Sequence, residues 1–211
     1  MTDPKPTIVA SDLEGVLVPE IWIAVAEETG IEQLRLTTRE ISDYDQLMKM
    51  RIGILRENGL KLADIQRVIA TLRPLPGAAE FVRWVRGRSQ FIIISDTFYE
   101  FAAPLMAQMD FPTIFCHSLI IDGDGMISGY KMRLEHPKRR SVAALQDIGF
   151  RVLAMGDSYN DVAMLEIAER GLLFAPPDNV VADYPHFPIA RDYADARRFL
   201  EENLFAPVVG G

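Results

Sequence analysis

Short runs of apolar, mostly β-branched residues alternate along the chain with longer stretches in which apolar positions recur every three or four residues. Short runs of this kind are typical of strands buried on both faces of a sheet, and the longer stretches are typical of helices that cover it. Three of the runs are followed by polar residues: Thr7–Ser11, Phe91–Ile94 and Arg151–Met155. The alternation predicts an α/β fold with a Rossmann-like parallel sheet core.

Residues 18–74 interrupt this alternation, because they contain helical patterns and no convincing strand. Three helices are predicted there, at 20–29, 43–58 and 62–72, from apolar periodicity and from proline and glycine at their ends. The segment is too long for an ordinary loop. We therefore predict a helical cap domain, 18–74, inserted after the first strand of a Rossmann-like catalytic core formed by 1–17 and 75–211.

A small β-hairpin completes the predicted sheet. The segments 118–121 and 126–132 flank Asp122-Gly123-Asp124-Gly125, a sequence that favours a tight reversal of the chain. The remaining predictions are helices at 77–88, 100–109, 138–148, 158–170 and 194–204, a strand at 172–175, a loop-rich stretch from 176 to 193 and a frayed tail at 207–211. Pro104 is expected to kink its helix or to mark where that helix begins.

Composition narrows the range of partners. The 211 residues are 49% apolar and 25% charged, as in ordinary globular proteins, and a net charge of -8 argues against nucleic acid or an anionic membrane surface as the main partner. No apolar run approaches the roughly 20 residues of a membrane-spanning helix, and the first residues do not resemble a signal peptide. We expect a cytoplasmic protein with a small-molecule partner, and the sequence gives no signal for an oligomeric state.

Asp12 and Glu14 follow the first strand with one residue between them. Alternate residues of an extended chain point to the same side, so both carboxylates should project from the end of the strand, and Gly15 allows a sharp turn after them. Carboxylates this close repel each other unless a proton or a cation lies between them. The pair therefore predicts an oxygen-ligand metal site, an acid/base pair, or both.

Polar residues also follow the other two strands, at Ser95–Thr97 and Gly156–Asp161. The carboxyl ends of parallel strands share one edge, so the three clusters should meet in one crevice. Asp157 and Asp161, four residues apart, are expected on one helix face, although Asp157 could simply cap that helix. Several carboxylates in one crevice require a cation, and oxygen ligands without a histidine or cysteine cluster favour Mg²⁺ over Zn²⁺.

Four further residues each have two interpretations. Ser95 could be a turn residue, and Lys138 could be a solvated charge that the sequence does not separate from its neighbours Arg139 and Arg140. Glu20 could merely favour a helix start, or it could bind an ammonium group. Arg51 is either a structural arginine or one that points into the cleft and binds a carboxylate. It belongs to the buried stripe of its predicted helix, because its neighbours three and four residues away are all apolar: Leu47, Met48, Ile54 and Leu55.

The order of four segments carries a family resemblance: Asp12-Leu13-Glu14-Gly15-Val16, Ser95-Asp96-Thr97, Lys138 and Gly156-Asp157-Ser158-Tyr159-Asn160-Asp161. With them the chain resembles the haloacid dehalogenase-like phosphohydrolases. The helical insertion and the hairpin make it most similar to the phosphoserine phosphatase branch, and within that branch to members that also transfer the phosphoryl group to homoserine. The resemblance implies a Mg²⁺-dependent phosphatase that acts on phosphoserine through an aspartyl-phosphate, with homoserine as a second acceptor.

The resemblance also implies a role for each residue of the site. Asp12 is the nucleophile, Glu14 exchanges protons with the leaving and attacking oxygens, and Mg²⁺ is held by Asp12, the backbone carbonyl of Glu14 and Asp157. The substrate is bound by six residues, among which Arg51 takes its carboxylate and Glu20 its ammonium: Glu20, Arg51, Ser95, Asp96, Lys138 and Asn160. Asp161 supports this set by orienting Lys138 without touching the metal.

Most of the family has aspartate where this chain has Glu14. The side chain is one methylene longer, and we expect it to favour an alcohol such as homoserine over water as the second acceptor. Two alternatives remain. The substrate could be another small phosphate ester, or the chain could be a receiver-like signalling domain, which also arranges acids, Mg²⁺, Ser/Thr and Lys around a phosphorylated aspartate. The helical insertion and Glu14 argue against the receiver.

Overall fold

A computed structural model of the chain describes residues 5–37, 40–41 and 43–204. The described residues contain seven strands: β1 (Thr7–Ser11), β2 (Gln90–Phe98), β3 (Thr113–Ile121), β4 (Ile127–Lys131), β5 (Arg151–Gly156), β6 (Arg170–Phe174) and β7 (Ile189–Ala190). They form one sheet in the order β4-β3-β2-β1-β5-β6-β7. Neighbouring strands are parallel except in the β3–β4 hairpin. The predicted α/β class is confirmed.

Helices account for most of the remaining described residues: α1 (Ile21–Thr29), α2 (Tyr44–Glu57), α3 (Leu62–Thr71), α4 (Ala78–Arg86), α5 (Tyr99–Ala107), α6 (Pro137–Asp147), α7 (Val162–Ile167), α8 (Asp178–Asp183) and α9 (Tyr193–Leu204). Single 3-10 turns occupy Glu32–Arg35 and Tyr159–Asp161. None of the helices in the described part of the chain combines the length and the hydrophobicity that crossing a bilayer requires.

The two faces of the sheet bury different apolar sets, because successive strand residues point to opposite sides. Val9 and Leu153 belong to the cluster that includes α4, α5 and α9, whereas Ile8, Ala10 and Val152 belong to the cluster that includes α6, α7 and α8. The central strands are therefore apolar at nearly every position. This burial on both faces explains why their sequences show continuous apolar runs instead of alternation.

The helical segment formed by α1, α2 and α3 lies between β1 and α4 in the chain, as predicted for an insertion after the first strand. Its buried residues join the same apolar cluster as the sheet, and Trp22 of α1 packs edge-to-face on Phe101 of α5 with ring centroids 5.6 Å apart. Because the cluster is continuous, the segment is packed directly onto the core. The division into domains at 18–74 stays a prediction.

Pro104 lies inside α5, which begins five residues earlier, so it does not mark the start of that helix. Proline has no backbone N–H, and its position leaves the carbonyl of Glu100 without the usual intrahelical donor. The side-chain amide of Gln66 in α3 donates to this carbonyl at 2.8 Å. A break in the hydrogen-bond ladder of α5 thus becomes an attachment point for the helical segment.

The predicted helix at 158–170 is wrong, because the chain forms one 3-10 turn and the short α7 there. Ala168 is already extended, and the N–H of Glu169 donates to Val152, so the backbone joins the sheet before residue 170. The stretch from 176 to 193, predicted as loop-rich, contains α8 and β7. The first hairpin strand begins at Thr113, earlier than predicted, and the predicted tail lies outside the described residues. The other predicted helices agree with the observed ones to within one turn at each end.

Replacement of Gly171 in β6 by alanine is expected to lower the free energy of unfolding by about 1–3 kcal/mol, because overpacking forces buried neighbours apart. A Cβ there would lie 2.7 Å from the Leu165 carbonyl and 3.0 Å from the Phe187 ring. Gly53→Ala in α2 is the matched control, since a Cβ there meets nothing within 4 Å, and it should be neutral or slightly stabilising. Urea unfolding of both variants measures the difference, and equal midpoints would contradict the prediction.

Candidate active site

A cavity of about 760 Å³ lies between the carboxyl ends of β1, β2 and β5 and the helical segment. Six of the predicted site residues line it from the sheet side: Asp12, Glu14, Ser95, Asp96, Asp157 and Asn160. Glu20 and Arg51 line it from the helical segment. The other two are buried behind the cavity: Lys138 pairs with Asp12, and Asp161 pairs with Lys138. The predicted residues are therefore brought together in one place.

A short turn brings Asp12 next to Asp157. The N–H of Asp12 donates to Met155 at the end of β5, and Gly15 follows in a left-handed conformation with φ of 77°. A Cβ on Gly15 would lie 2.6 Å from Oδ2 of Asp157. Only glycine gives the backbone this conformation without strain and leaves room for the carboxylate.

Asp161 folds back over the chain that precedes it. Its Oδ2 accepts the N–H groups of Asp157 and Ser158 at 3.0 and 3.2 Å, and a Cβ on Gly156 would lie 2.3 Å from its side chain. The prediction that Asp157 and Asp161 share a helix face is therefore wrong, because Asp157 precedes the helical residues. The alternative in which Asp157 caps the helix is also wrong, since Ser158 is the residue at the cap.

An irregular stretch of β2 carries the second cluster. β2 pairs with β3 as far as Ile94 and again at Phe98, with a register shift between them. Residues 95–97 lie within this shift, and all three line the cavity. Bulges of this kind redirect side chains and are frequent beside active sites.

Lys138 lies in the first turn of α6 and is buried among three carboxylates. Its Nζ is 2.6 Å from Asp161 Oδ1, 3.0 Å from Asp12 Oδ2 and 3.7 Å from Asp96 Oδ2. These charges offset the unfavourable position of a lysine at the positive end of a helix dipole. Arg139 and Arg140 are exposed, so the structure separates Lys138 from the two basic residues that follow it.

The acidic residues of the site are crowded enough to need a cation. Asp12, Asp157 and Asp161 have carboxylate oxygens within 4.8 Å of one another. Burial, followed by the charge of Asp161, raises the pKa of Asp12 well above its usual range and that of Asp157 to about 7. Both oxygens of Asp161 already accept hydrogen bonds, whereas Asp12 Oδ1 is buried without a partner among the described residues. An unpartnered buried oxygen and oxygen-only donors fit Mg²⁺.

Glu14 can hold or release a proton near neutral pH. Its Oε2 accepts the N–H of Ile21 at the start of α1, at 2.8 Å. Burial and the nearby charge of Glu20 raise the pKa of Glu14 to about 7. A carboxyl group with this pKa suits general acid and base catalysis.

Arg51 is buried in α2, as its apolar neighbours predict. One Nη donates to the carbonyl of Leu36 at 2.7 Å, and the guanidinium lies over the Trp22 ring, 4.5 Å from its centroid. The other Nη contacts the sulfur of Met48 at 4.0 Å, and none of the ion pairs of the described residues includes Arg51. Arg51 thus lines the cavity as a positive charge without an acidic partner among the described residues, which suits the binding of an anionic ligand.

Four further side chains of the site were not predicted as functional residues. Thr97, Tyr44 and Tyr159 line the cavity, and the hydroxyl of Tyr44 donates to the carbonyl of Asp96 at 3.0 Å. His117 lies behind Asp96, with Nε2 3.6 Å from Asp96 Oδ1. Thr97 could have been predicted from its position in the polar cluster with Ser95. Tyr44 and His117 could not, because neither is close in the sequence to the polar residues that follow the strands.

The sheet is mostly parallel, and carboxylates and a buried lysine lie together at the carboxyl ends of its strands. This arrangement is typical of the active site of an α/β enzyme. Residues 6–169 match the model of a family of hydrolases, the haloacid dehalogenase-like hydrolases. The chain belongs to this family, which confirms the resemblance seen in its four segments.

Three of the proteins to which the chain is similar are phosphoserine phosphatases. The chain is 58% identical over 191 residues to phosphoserine phosphatase ThrH of Pseudomonas aeruginosa, covering 90% of this chain and 93% of that protein. It is 56% identical to a phosphoserine phosphatase of Pseudomonas syringae pv. tomato, covering 90% and 81%. The crystal structure of phosphoserine phosphatase from T. onnurineus superposes with a TM-score of 0.74 at 25% identity, covering 95% of this chain and 98% of that one.

Replacement of Lys138 by methionine is expected to lower the free energy of unfolding by about 3–5 kcal/mol in EDTA at neutral pH, because it leaves buried carboxylates without their cation. The neighbouring exposed residue supplies the control: Arg139→Met should change stability by no more than about 0.5 kcal/mol. Denaturant unfolding without divalent metal measures both variants. A loss in Lys138→Met no larger than in the control would contradict the burial of Lys138 among the acids.

Proposed function

We propose that the protein is a Mg²⁺-dependent phosphoserine phosphatase that acts through an aspartyl-phosphate on Asp12. The observation that carries this proposal is the position of Asp12. It lines the cavity directly after β1, its Oδ2 lies 3.0 Å from the ammonium of Lys138, and carboxylate oxygens of Asp157 and Asp161 lie within 4.8 Å. A carboxylate at a cavity wall, beside a lysine and a cluster of acids that can hold a cation, suits nucleophilic attack on a phosphate ester.

Asp12, Asp157 and the backbone carbonyl of Glu14 would hold Mg²⁺. The crowding of Asp12, Asp157 and Asp161 supports a cation at this position, and the two occupied oxygens of Asp161 leave the other two acids as its ligands. Mg²⁺ bound there neutralises charge between the carboxylates and a phosphate, which lets one anion approach the other.

The reaction would proceed in two displacements. Asp12 attacks phosphorus, the bond from phosphorus to the serine oxygen breaks, and Glu14 gives its proton to that oxygen. Glu14 then takes a proton from water, and the resulting hydroxide releases phosphate from Asp12. The pKa of Glu14, raised to about 7, supports both directions of this exchange.

The phosphoryl oxygens would be bound by Lys138 and Ser95. Lys138 has three N–H donors, one of which is hydrogen-bonded to Asp161, and Asp12 Oδ2 lies 3.0 Å from the same nitrogen. Asp161 orients the ammonium, and Asp96 and Asn160 complete the polar wall on the substrate side, joined by a hydrogen bond of 3.2 Å. Fixed positive charge beside the phosphoryl group stabilises the negative charge of the transition state.

The helical segment supports an amino-acid ester as the substrate. Arg51 and Glu20 line the cavity with opposite charges, opposite the sheet residues. Arg51 would bind the substrate carboxylate with its unused donors, and Glu20 would bind the ammonium. The names of the relatives at 58% and 56% identity support phosphoserine over other small phosphate esters. The family match, which is to hydrolases, gives no support to the receiver-like alternative.

The central experiment supplies phosphoserine and Mg²⁺ with and without homoserine, and measures free phosphate and phosphohomoserine. We expect phosphate release that EDTA abolishes, phosphohomoserine when homoserine is present, and a loss of about three orders of magnitude or more in kcat for Asp12→Asn. p-Nitrophenyl phosphate serves as a general phosphate ester. Hydrolysis of this ester without hydrolysis of phosphoserine would contradict phosphoserine as the substrate but would leave the proposed phosphatase mechanism in place.

The length of Glu14 generates a second prediction. Shortening it in Glu14→Asp withdraws the acid/base oxygen toward the strand and should lower the ratio of phosphohomoserine to free phosphate by about threefold or more, because the bulkier alcohol depends more on its reach. Glu27→Asp on the exposed surface of α1 is the control for the same chemical change. An unchanged product ratio in Glu14→Asp would show that the glutamate does not select the acceptor.

A further inference from the structure

His117 is a buried polar side chain that the proposed reaction does not use. Only 1% of the residue is exposed, and it lies on β3 opposite Phe98, directly after the register shift in β2. The rings of Phe98 and Tyr44 flank it edge-on, with centroids 6.2 and 6.5 Å away. Packing therefore fixes the orientation of the imidazole.

The hydrogen bonds of the ring place its proton. Nδ1 accepts the backbone N–H of Arg133 at 3.2 Å, so in the neutral ring the proton is on Nε2. Nε2 makes no hydrogen bond with another described residue, and Asp96 Oδ1 lies 3.6 Å from it, just beyond hydrogen-bond length. The buried N–H is therefore directed at the carboxylate of Asp96.

Asp96 is surrounded by groups that restrain it. Its Oδ2 accepts from Asn160 at 3.2 Å and lies 3.7 Å from the ammonium of Lys138, and its carbonyl accepts from Tyr44. Although burial opposes ionisation, Lys138, His117 and Asn160 lower the pKa of Asp96 to about 2. A permanent negative charge thus lies beside the lysine at 3.7 Å, which is longer than a hydrogen bond.

That distance has a chemical consequence. Of the three donors of Lys138, one is hydrogen-bonded to Asp161, and the ion pair with Asp12 at 3.0 Å can engage a second. The third is then available either to Asp96 or to a phosphoryl oxygen. If Asp96 moved closer it would take this third donor. Asn160 donates to Oδ2 of Asp96, and the Nε2 proton of His117 faces Oδ1 at 3.6 Å. Together these two groups favour the present orientation of the carboxylate over one turned toward the ammonium.

We propose that His117 is a positioning residue for phosphoryl transfer, which restrains Asp96 so that the third donor of Lys138 stays free for the phosphate. This inference rests on the proposed function for the role of Lys138, but not on which phosphate ester is the substrate. The competing explanation is structural, in which His117 serves only to anchor the backbone of Arg133.

Two variants distinguish these explanations, because each retains one of the two hydrogen-bonding functions of the imidazole, the acceptor at Nδ1 or the donor at Nε2. His117→Asn keeps an acceptor near Nδ1 for Arg133 and removes the donor facing Asp96. His117→Gln carries an amide donor to the region of Nε2 and removes the acceptor. Positioning predicts that the glutamine variant stays within about threefold of wild-type kcat and that the asparagine variant loses about tenfold or more, with KM changed by less than about threefold. The reverse order would overturn the proposal.

A double-mutant cycle with Asp96→Asn tests whether His117 acts through Asp96. The amide in Asp96→Asn is uncharged and is not attracted to Lys138, so His117 has no carboxylate to restrain in this variant. Adding His117→Asn to Asp96→Asn should therefore lower kcat by less than about threefold. Losses that multiply independently would overturn the proposal. If His117→Asn fails to fold, the same cycle is run with His117→Gln, for which the proposal predicts little loss in either background.

Both assays use phosphoserine and p-nitrophenyl phosphate in parallel, with Mg²⁺ present. Wild-type protein that hydrolyses only the second ester would reject the proposed substrate, and the His117 comparison is then read from that ester. Equal activity of wild type and both His117 variants on both esters would reject the positioning role while leaving the proposed function intact.

Discussion

Repulsion among buried carboxylates is the constraint on which the arrangement of this protein depends. Asp12, Asp157 and Asp161 come from two separate segments, and their oxygens lie within 4.8 Å of one another. The approach is sterically possible because Gly15 and Gly156 have no side chains where these acids pack. It is electrostatically possible because Lys138 pairs with Asp12 and Asp161, and two backbone N–H groups donate to the other oxygen of Asp161. The remaining negative charge is what the proposed metal would neutralise.

The sequence predicts well what local patterns determine. Apolar runs identify the central strands, because both faces of the sheet are covered, and the two acids that follow the first run, Asp12 and Glu14, both line the cavity. It predicts poorly those features that depend on a side-chain contact or on a shift in strand register. The helix expected at 158–170 is replaced by a turn built on the Asp161 carboxylate, and His117 reaches Asp96 through the irregular pairing of β2 and β3. The sequence also does not show which basic residue is functional, because only the structure reveals that Lys138 is buried and Arg139 exposed.

The helical segment contributes charged side chains to the cavity whose other wall is formed by the acidic residues of the sheet. Arg51 occupies an apolar stripe, and its charge is accommodated by the Leu36 carbonyl and the Trp22 ring instead of by an acid. The segment also contacts the sheet side through polar links, from Tyr44 to Asp96 and from Gln66 to Glu100. The same helices therefore contribute cavity wall, ligand-binding charge and attachment to the core.

The apolar cluster shared by the helical segment and the sheet limits how the cavity can exchange its contents. Leu34, Met48, Leu55 and Ile65 are each almost completely buried and belong to the cluster that contains Val9. A wide swing of the segment would expose this surface to water at a cost of about 25 cal/mol for each Å² of apolar area. Small displacements near the mouth would leave the cluster intact. Substrate arrival and product departure should therefore depend on small displacements at the mouth of the cavity.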